Sequence, residues 1–193
     1  MLNIARKELK SMFASPMGWI ILALLTFSFG TYYLNGVNNY FEVMSGSIRP
    51  AERVGVTQFV GQTVYGLASF IMLFAVPLLS MRLISEERRS QTMPFLFSAP
   101  LSISEIVIGK FLGLVVFLSF LVVYIAAMLS TLNIWADIDF GYIFANSLGL
   151  LLLVSSFAAL GLYFSSLTAQ PIIAGILSFI ALFVLMILDR FFA

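Results

Sequence analysis

The side chains able to do chemistry concentrate between residues 82 and 110, a long polar segment between two apolar runs. It holds a basic cluster, Arg82, Arg88, Arg89 and Lys110, with Glu87 beside the paired arginines. In its middle sits an apolar patch, Phe95-Leu96-Phe97, closed by Pro100. Basic residues hold a loop on the cytoplasmic side of a membrane. Apolar residues left in water on such a loop mark a docking surface. The chemistry on offer is therefore recognition of a partner. Catalysis is poorly provided for: the chain has no His and no Cys, which removes the commonest general base and any thiolate metal site. The paired carboxylates outside the segment, Asp137 and Asp139, fall in a short turn with Trp135, where a solvated turn with an interfacial Trp accounts for them. No catalytic, cofactor-binding or metal-binding residue is assigned.

The elements that must position these residues are membrane spans. Apolar residues make up 61% of the chain and charged ones 10%, with mean hydropathy +1.06. A soluble domain carries about a quarter charged residues, so the solvent here is the bilayer. A net charge of +1 argues against nucleic acid as a ligand. The first apolar run leads into Asn and aromatic residues, not a small-residue cleavage site, and is read as a retained span.

The fold class expected is all-α and polytopic, a single transmembrane domain over 1–193. Residues 1–15 read as an amphipathic interfacial helix. Leu2, Ala5, Leu9, Met12 and Phe13 share a stripe roughly 100° wide, Arg6, Lys7 and Lys10 lie to one side, and Ile4 does not fit. Five spans follow at about 17–34, 64–84, 106–132, 142–167 and 172–188. The first has Trp19 and Tyr32-Tyr33 as interfacial anchors. Residues 35–63 read as a polar loop, and Pro77 predicts a kink in the second span. Ser102 and Glu105 have capping-box spacing for the third span, which places Lys110 one turn in, snorkelling back to the surface. Gly109 and Gly113 form a small-residue packing motif, and the serines of span four, Ser165 and Ser166 among them, read as ordinary helix packing. Asp189-Arg190 reads as the end of span five.

Orientation follows from the basic residues. Arg6, Lys7, Lys10, Arg82, Arg88, Arg89 and Lys110 fall on one side, and Arg49, Arg53 and Arg190 on the other. The richer side is cytoplasmic, so the amino terminus and the 85–105 loop are expected inside. The spans hold no ionisable residue near midplane, which argues against an ion gradient as the driving force. Gly109-Lys110 follows no glycine-rich turn and is no nucleotide-binding loop. Any energy for transport must come from another chain.

Residues 76 to 113 carry a resemblance. Pro77-Leu78-Leu79-Ser80-Met81-Arg82, then Glu86-Glu87-Arg88-Arg89, Thr92, Phe95-Leu96-Phe97, Pro100 and Glu105-Ile106-Val107-Ile108-Gly109-Lys110-Phe111 stand in an order similar to permeases of the ABC-2-type exporter family. The likeness is to the branch that includes the gliding-motility-associated permeases. It implies the membrane permease subunit of an ATP-binding cassette exporter in the plasma membrane. The implied partners are a cytoplasmic ATP-binding cassette ATPase and a second permease copy or paralogue, forming a dimer. ATP and Mg would be bound by the ATPase, and this chain would carry no cofactor of its own. Residues 85–105 would hold a short coupling helix seated on the ATPase. Glu87, Arg88, Arg89, Thr92, Phe95, Leu96, Phe97 and Pro100 would form that interface. The residues agree: Thr92 as N-cap, Pro94 in a first turn and a stop at Pro100 outline about two helical turns. The family's Gly before Thr is Gln91 here and its Glu two residues after Thr is Pro94. The family has six spans and five are counted here, which keeps open a second reading, a non-transporting scaffold or regulatory subunit derived from a permease.

Overall fold

The computed structural model describes residues 2–45, 55–90, 102–134 and 136–192. Among these every regular element is helical, and five helices are long and apolar enough to cross a membrane. In chain order they are α1 (Leu2–Ala14), α2 (Pro16–Met44), α3 (Val56–Ser80), the one-turn α4 (Ser85–Arg89), α5 (Ile103–Ser130) with a 3₁₀ turn at Thr131–Ile134, α6 (Phe140–Leu167) and α7 (Pro171–Phe192). The protein is an all-α, multi-pass membrane protein.

The helix starts are chemically marked. Pro16 and Pro171 each open a helix, where a missing N–H costs nothing. Ser102 and Glu105 complete the expected capping box: Glu105 N donates to Ser102 Oγ at 3.2 Å and Ser102 N donates to Glu105 Oε2 at 3.1 Å. Asp139 caps α6 by accepting from Tyr142 N at 3.0 Å, while its own N–H donates to Thr57 Oγ1 at 3.2 Å. The Asp137 and Asp139 carboxylates are thus split between a cap and an exposed Asp137.

Three expected boundaries move. The first span does not stop at 34, nor is 35–63 a loop throughout. α2 continues to Met44 and α3 begins at Val56. Tertiary packing overrides the polar composition there. Gly36 lies against Val60, and the rings of Tyr40 and Phe59 meet at 5.9 Å. On α3 the buried face runs Val56, Val60, Val64, Ala68, Met72 and Ala75, a helical period that starts two turns before the apolar run. The last helix passes through Asp189 and Arg190 to Phe192, since a polar pair marks the membrane edge without breaking a helix.

The core sits among α3, α5 and α6. Leu114, Phe117, Leu118, Leu121, Ile125 and Leu129 line one face of α5 and are fully buried. α2 and α7 pack on the flanks of this core, and α2, α6 and α7 present Phe27, Phe144, Leu152, Ile180 and Leu185 outward, as lipid-facing helices do. Few polar bonds tie the spans. Tyr65 Oη donates to Ile143 O and meets Ser147 Oγ at 2.6 Å, and Tyr33 Oη meets Thr131 Oγ1 at 2.8 Å.

α1 crosses the start of α5. Its inward residues are Ile4, Ala5, Glu8, Leu9, Met12 and Phe13, while Leu2 is exposed. The predicted stripe is therefore corrected at two positions: Ile4 belongs to it and Leu2 does not. Phe13 packs on Phe117 and Phe120, and Trp19 Nε1 donates to Phe13 O at 2.6 Å, pinning the bend between α1 and α2.

Candidate functional site

α3 continues through Pro77 and ends at Ser80. The chain then turns through Met81–Ile84 into α4, so two backbone donors at the start of α4 lack an intrahelical partner. Ser165, 0% exposed near the end of α6, supplies it. Its Oγ accepts from Ile84 N at 3.2 Å and Ser85 N at 3.1 Å, and donates to Met81 O at 3.0 Å. Ser85 Oγ also donates to Met81 O. One turn earlier Gly161 leaves room for Ser80, whose side chain occupies the place of any Cβ there. Arg88 Nη1 donates to Ser166 O. The joint from α3 to α4 is thus capped in trans by the end of α6. Ser165 and Ser166, read as packing residues, hold it, Ser165 by its hydroxyl and Ser166 by its backbone carbonyl.

On the other side of α4 lies a buried ion cluster. Lys110 does not snorkel. It is 2% exposed, with Nζ 2.9 Å from Glu8 Oε1 and 2.8 Å from Glu87 Oε1. The reason is α1, which crosses α5 at this level. A Cβ at Gly113 would stand 2.9 Å from Glu8 Cβ and 3.2 Å from Ala5 O, so the missing side chain lets α1 close over the lysine. Gly109 is buried beside it. Gly113 of the small-residue motif therefore seats the amphipathic helix. Two carboxylates offset the cost of removing one ammonium from water, and the cluster carries net charge −1.

Among the predicted interface residues, Glu87 is in this cluster, Arg88 is on the carbonyl of Ser166, and Arg89 is exposed. Thr92, Phe95, Leu96, Phe97 and Pro100 lie outside the described residues, as does the proposed coupling helix they would form. Sequence reasoning missed Glu8. Its position, four residues from both Ile4 and Met12, places it on the inward face and was the available sign. A cavity of about 410 Å³ separates α1 from the α3–α4 joint, with Lys7, Glu8, Arg82, Glu86 and Lys110 in its wall. Among the described residues no cluster of His, Cys, Asp or Glu has the makings of a metal site. What the arrangement offers is a stiff joint that links α1, α4, α5 and the end of α6.

The family model described as ABC-2 family transporter protein matches residues 2–192. No curated protein and no solved structure matches the chain.

Proposed function

Because the chain belongs to the ABC-2 transporter family, and so is a membrane permease subunit, we propose that it couples ATP hydrolysis on a separate cytoplasmic ATP-binding cassette ATPase to export across the plasma membrane. The likeness of residues 76–113 to gliding-motility-associated permeases is part of this reading. Two permease chains, identical or paralogous, work with two ATPase subunits. The 85–105 loop faces the cytoplasm, and Phe95, Leu96 and Phe97 seat a coupling helix on the ATPase, flanked by Glu87, Arg88 and Arg89. ATP and Mg belong to the ATPase.

The observation that carries the reading is the joint. α4 leads directly into the proposed contact segment and is fastened on both sides, to α6 through Ser165 and to α5 through Lys110. A push delivered after Ser90 therefore reaches three spans, α3, α5 and α6, without being absorbed by a loose hinge.

The test is co-purification of the permease with a co-expressed ATP-binding cassette ATPase. Leu96→Asp puts a charge into the proposed apolar contact, and recovery of the ATPase is expected to fall severalfold. Undiminished recovery overturns the interface.

Topology has its own test. The chain contains no Cys, so a single introduced thiol reports its side without background. A membrane-impermeant maleimide is expected to label Asp137→Cys on intact cells, and Ser90→Cys only after the membrane is opened. The opposite pattern reverses the orientation and removes the coupling reading.

A further inference from the structure

A second cavity, of about 680 Å³, opens on the far side of the α3–α4 joint. Met81, Arg82, Glu86, Arg89, Gln170 and Ile172 are in its wall. It shares Met81 and Ile172 with an apolar groove of about 320 Å³ between α3 and α7, formed by Phe74, Leu78, Gly175, Ile176 and Phe179. The two therefore form one continuous surface, basic at the helix ends and apolar along the spans.

The charges do not cancel. Among the described residues neither Arg82 nor Arg89 forms an ion pair, whereas Lys110 nearby is matched by two carboxylates. Two guanidinium groups face a single carboxylate, Glu86. Guanidinium suits a phosphate, which it meets through paired N–H donors. Basic pockets between spans at a membrane face take acidic lipid headgroups.

The groove decides between a lipid and a free anion. Phe74, Leu78, Ile172 and Ile176 are exposed and apolar, and they lie on two spanning helices. From Met81 to Phe74 the groove follows α3 for about 10 Å toward mid-bilayer. Along that path the available ligand is a hydrocarbon chain. Gly175 keeps this passage narrow yet open: a Cβ there would stand 3.0 Å from Met81 Sδ.

We propose that an anionic phospholipid of the surrounding leaflet binds here, its phosphate held by Arg82 and Arg89 and one acyl chain lying between α3 and α7. Binding of this kind stands apart from transport, since it needs neither an ATPase nor a second permease.

Native mass spectrometry of the full chain, released from detergent with phosphatidylglycerol or phosphatidylcholine, tests it. About tenfold preferential retention of phosphatidylglycerol is expected, and soluble glycerol phosphate should not compete. Arg82→Gln with Arg89→Gln should erase the preference. Arg6→Gln with Lys10→Gln removes the same two charges outside the cavity and should keep it. Gly175→Leu, which fills the groove and leaves both arginines, should lower retention severalfold. Equal retention of the two lipids, competition by glycerol phosphate, or loss with Arg6→Gln and Lys10→Gln as great as with the Arg82 and Arg89 pair would each overturn the site.

Discussion

Replacing Lys110 with Met is expected to destabilise the protein by about 3 kcal/mol, because it leaves two largely buried carboxylates facing each other without a cation. Glu8 and Glu87 both reach the same Nζ, and their side chains are 14% and 19% exposed. Neither retreats readily into water. Glu8 is fixed by the crossing of α1 over Gly113, and Glu87 by the one-turn helix that Ser165 caps. The thermal unfolding midpoint of the purified chain measures the effect. A companion variant separates charge from packing. Glu8→Gln and Glu87→Gln, combined with Lys110→Met, remove all three charges and keep the side chains' bulk. Most of the lost stability should return, since a buried ion pair contributes little net when its partners leave together. If the single and triple variants unfold alike, the cluster acts through shape alone.

Ser165→Ala is expected to cost about 2 kcal/mol, the range for leaving buried donors unmade. Its hydroxyl serves three backbone groups at once: it accepts from Ile84 and Ser85 and donates to Met81. The site is closed to water, so no solvent molecule replaces the lost oxygen without a rearrangement of the joint. Ser166→Ala is the control. That hydroxyl bonds only within its own helix, to Tyr163 O, and its removal should change stability by no more than about 0.5 kcal/mol. In a reconstituted transporter, Ser165→Ala should also lower the amount of cargo moved per ATP hydrolysed, because the joint would yield before it pushes. Equal stability of the two alanine variants would show that the trans cap is dispensable.

Much of the architecture was legible in the chain. Hydropathy found all five spans, and the capping box at Ser102 and Glu105 and the amphipathic start were read from spacing alone. Those features are local, written within one or two helical turns. What escaped was set by residues far apart in the chain. Lys110 was read as a snorkelling residue because nothing near it in sequence announces that α1 covers it. Glu8 looked like one more charge on a polar face. Ser165 looked like packing, since a serine in a span usually bonds back to its own helix, as Ser155 does to Leu151. The length of α2 escaped for the same reason: Asn35, Asn38 and Asn39 suggest a loop until Val60 and Phe59 are seen to pack against that stretch. The family pattern pointed to the 82–110 segment, and its described parts, α4 and the start of α5, meet through Glu87 and Lys110.

The contact between Glu8 and Lys110 joins residues 102 positions apart. At roughly 5 to 20 residues per second of synthesis, on the order of 5 to 20 s pass between the appearance of one partner at the ribosome and the other. Throughout that interval α1 lacks its seat on α5, and its greasy side is shielded by the lipid surface. α1 is thus made well before its seat, and a newborn chain interrupted before its third crossing would leave α1 adrift for quality-control proteases to find.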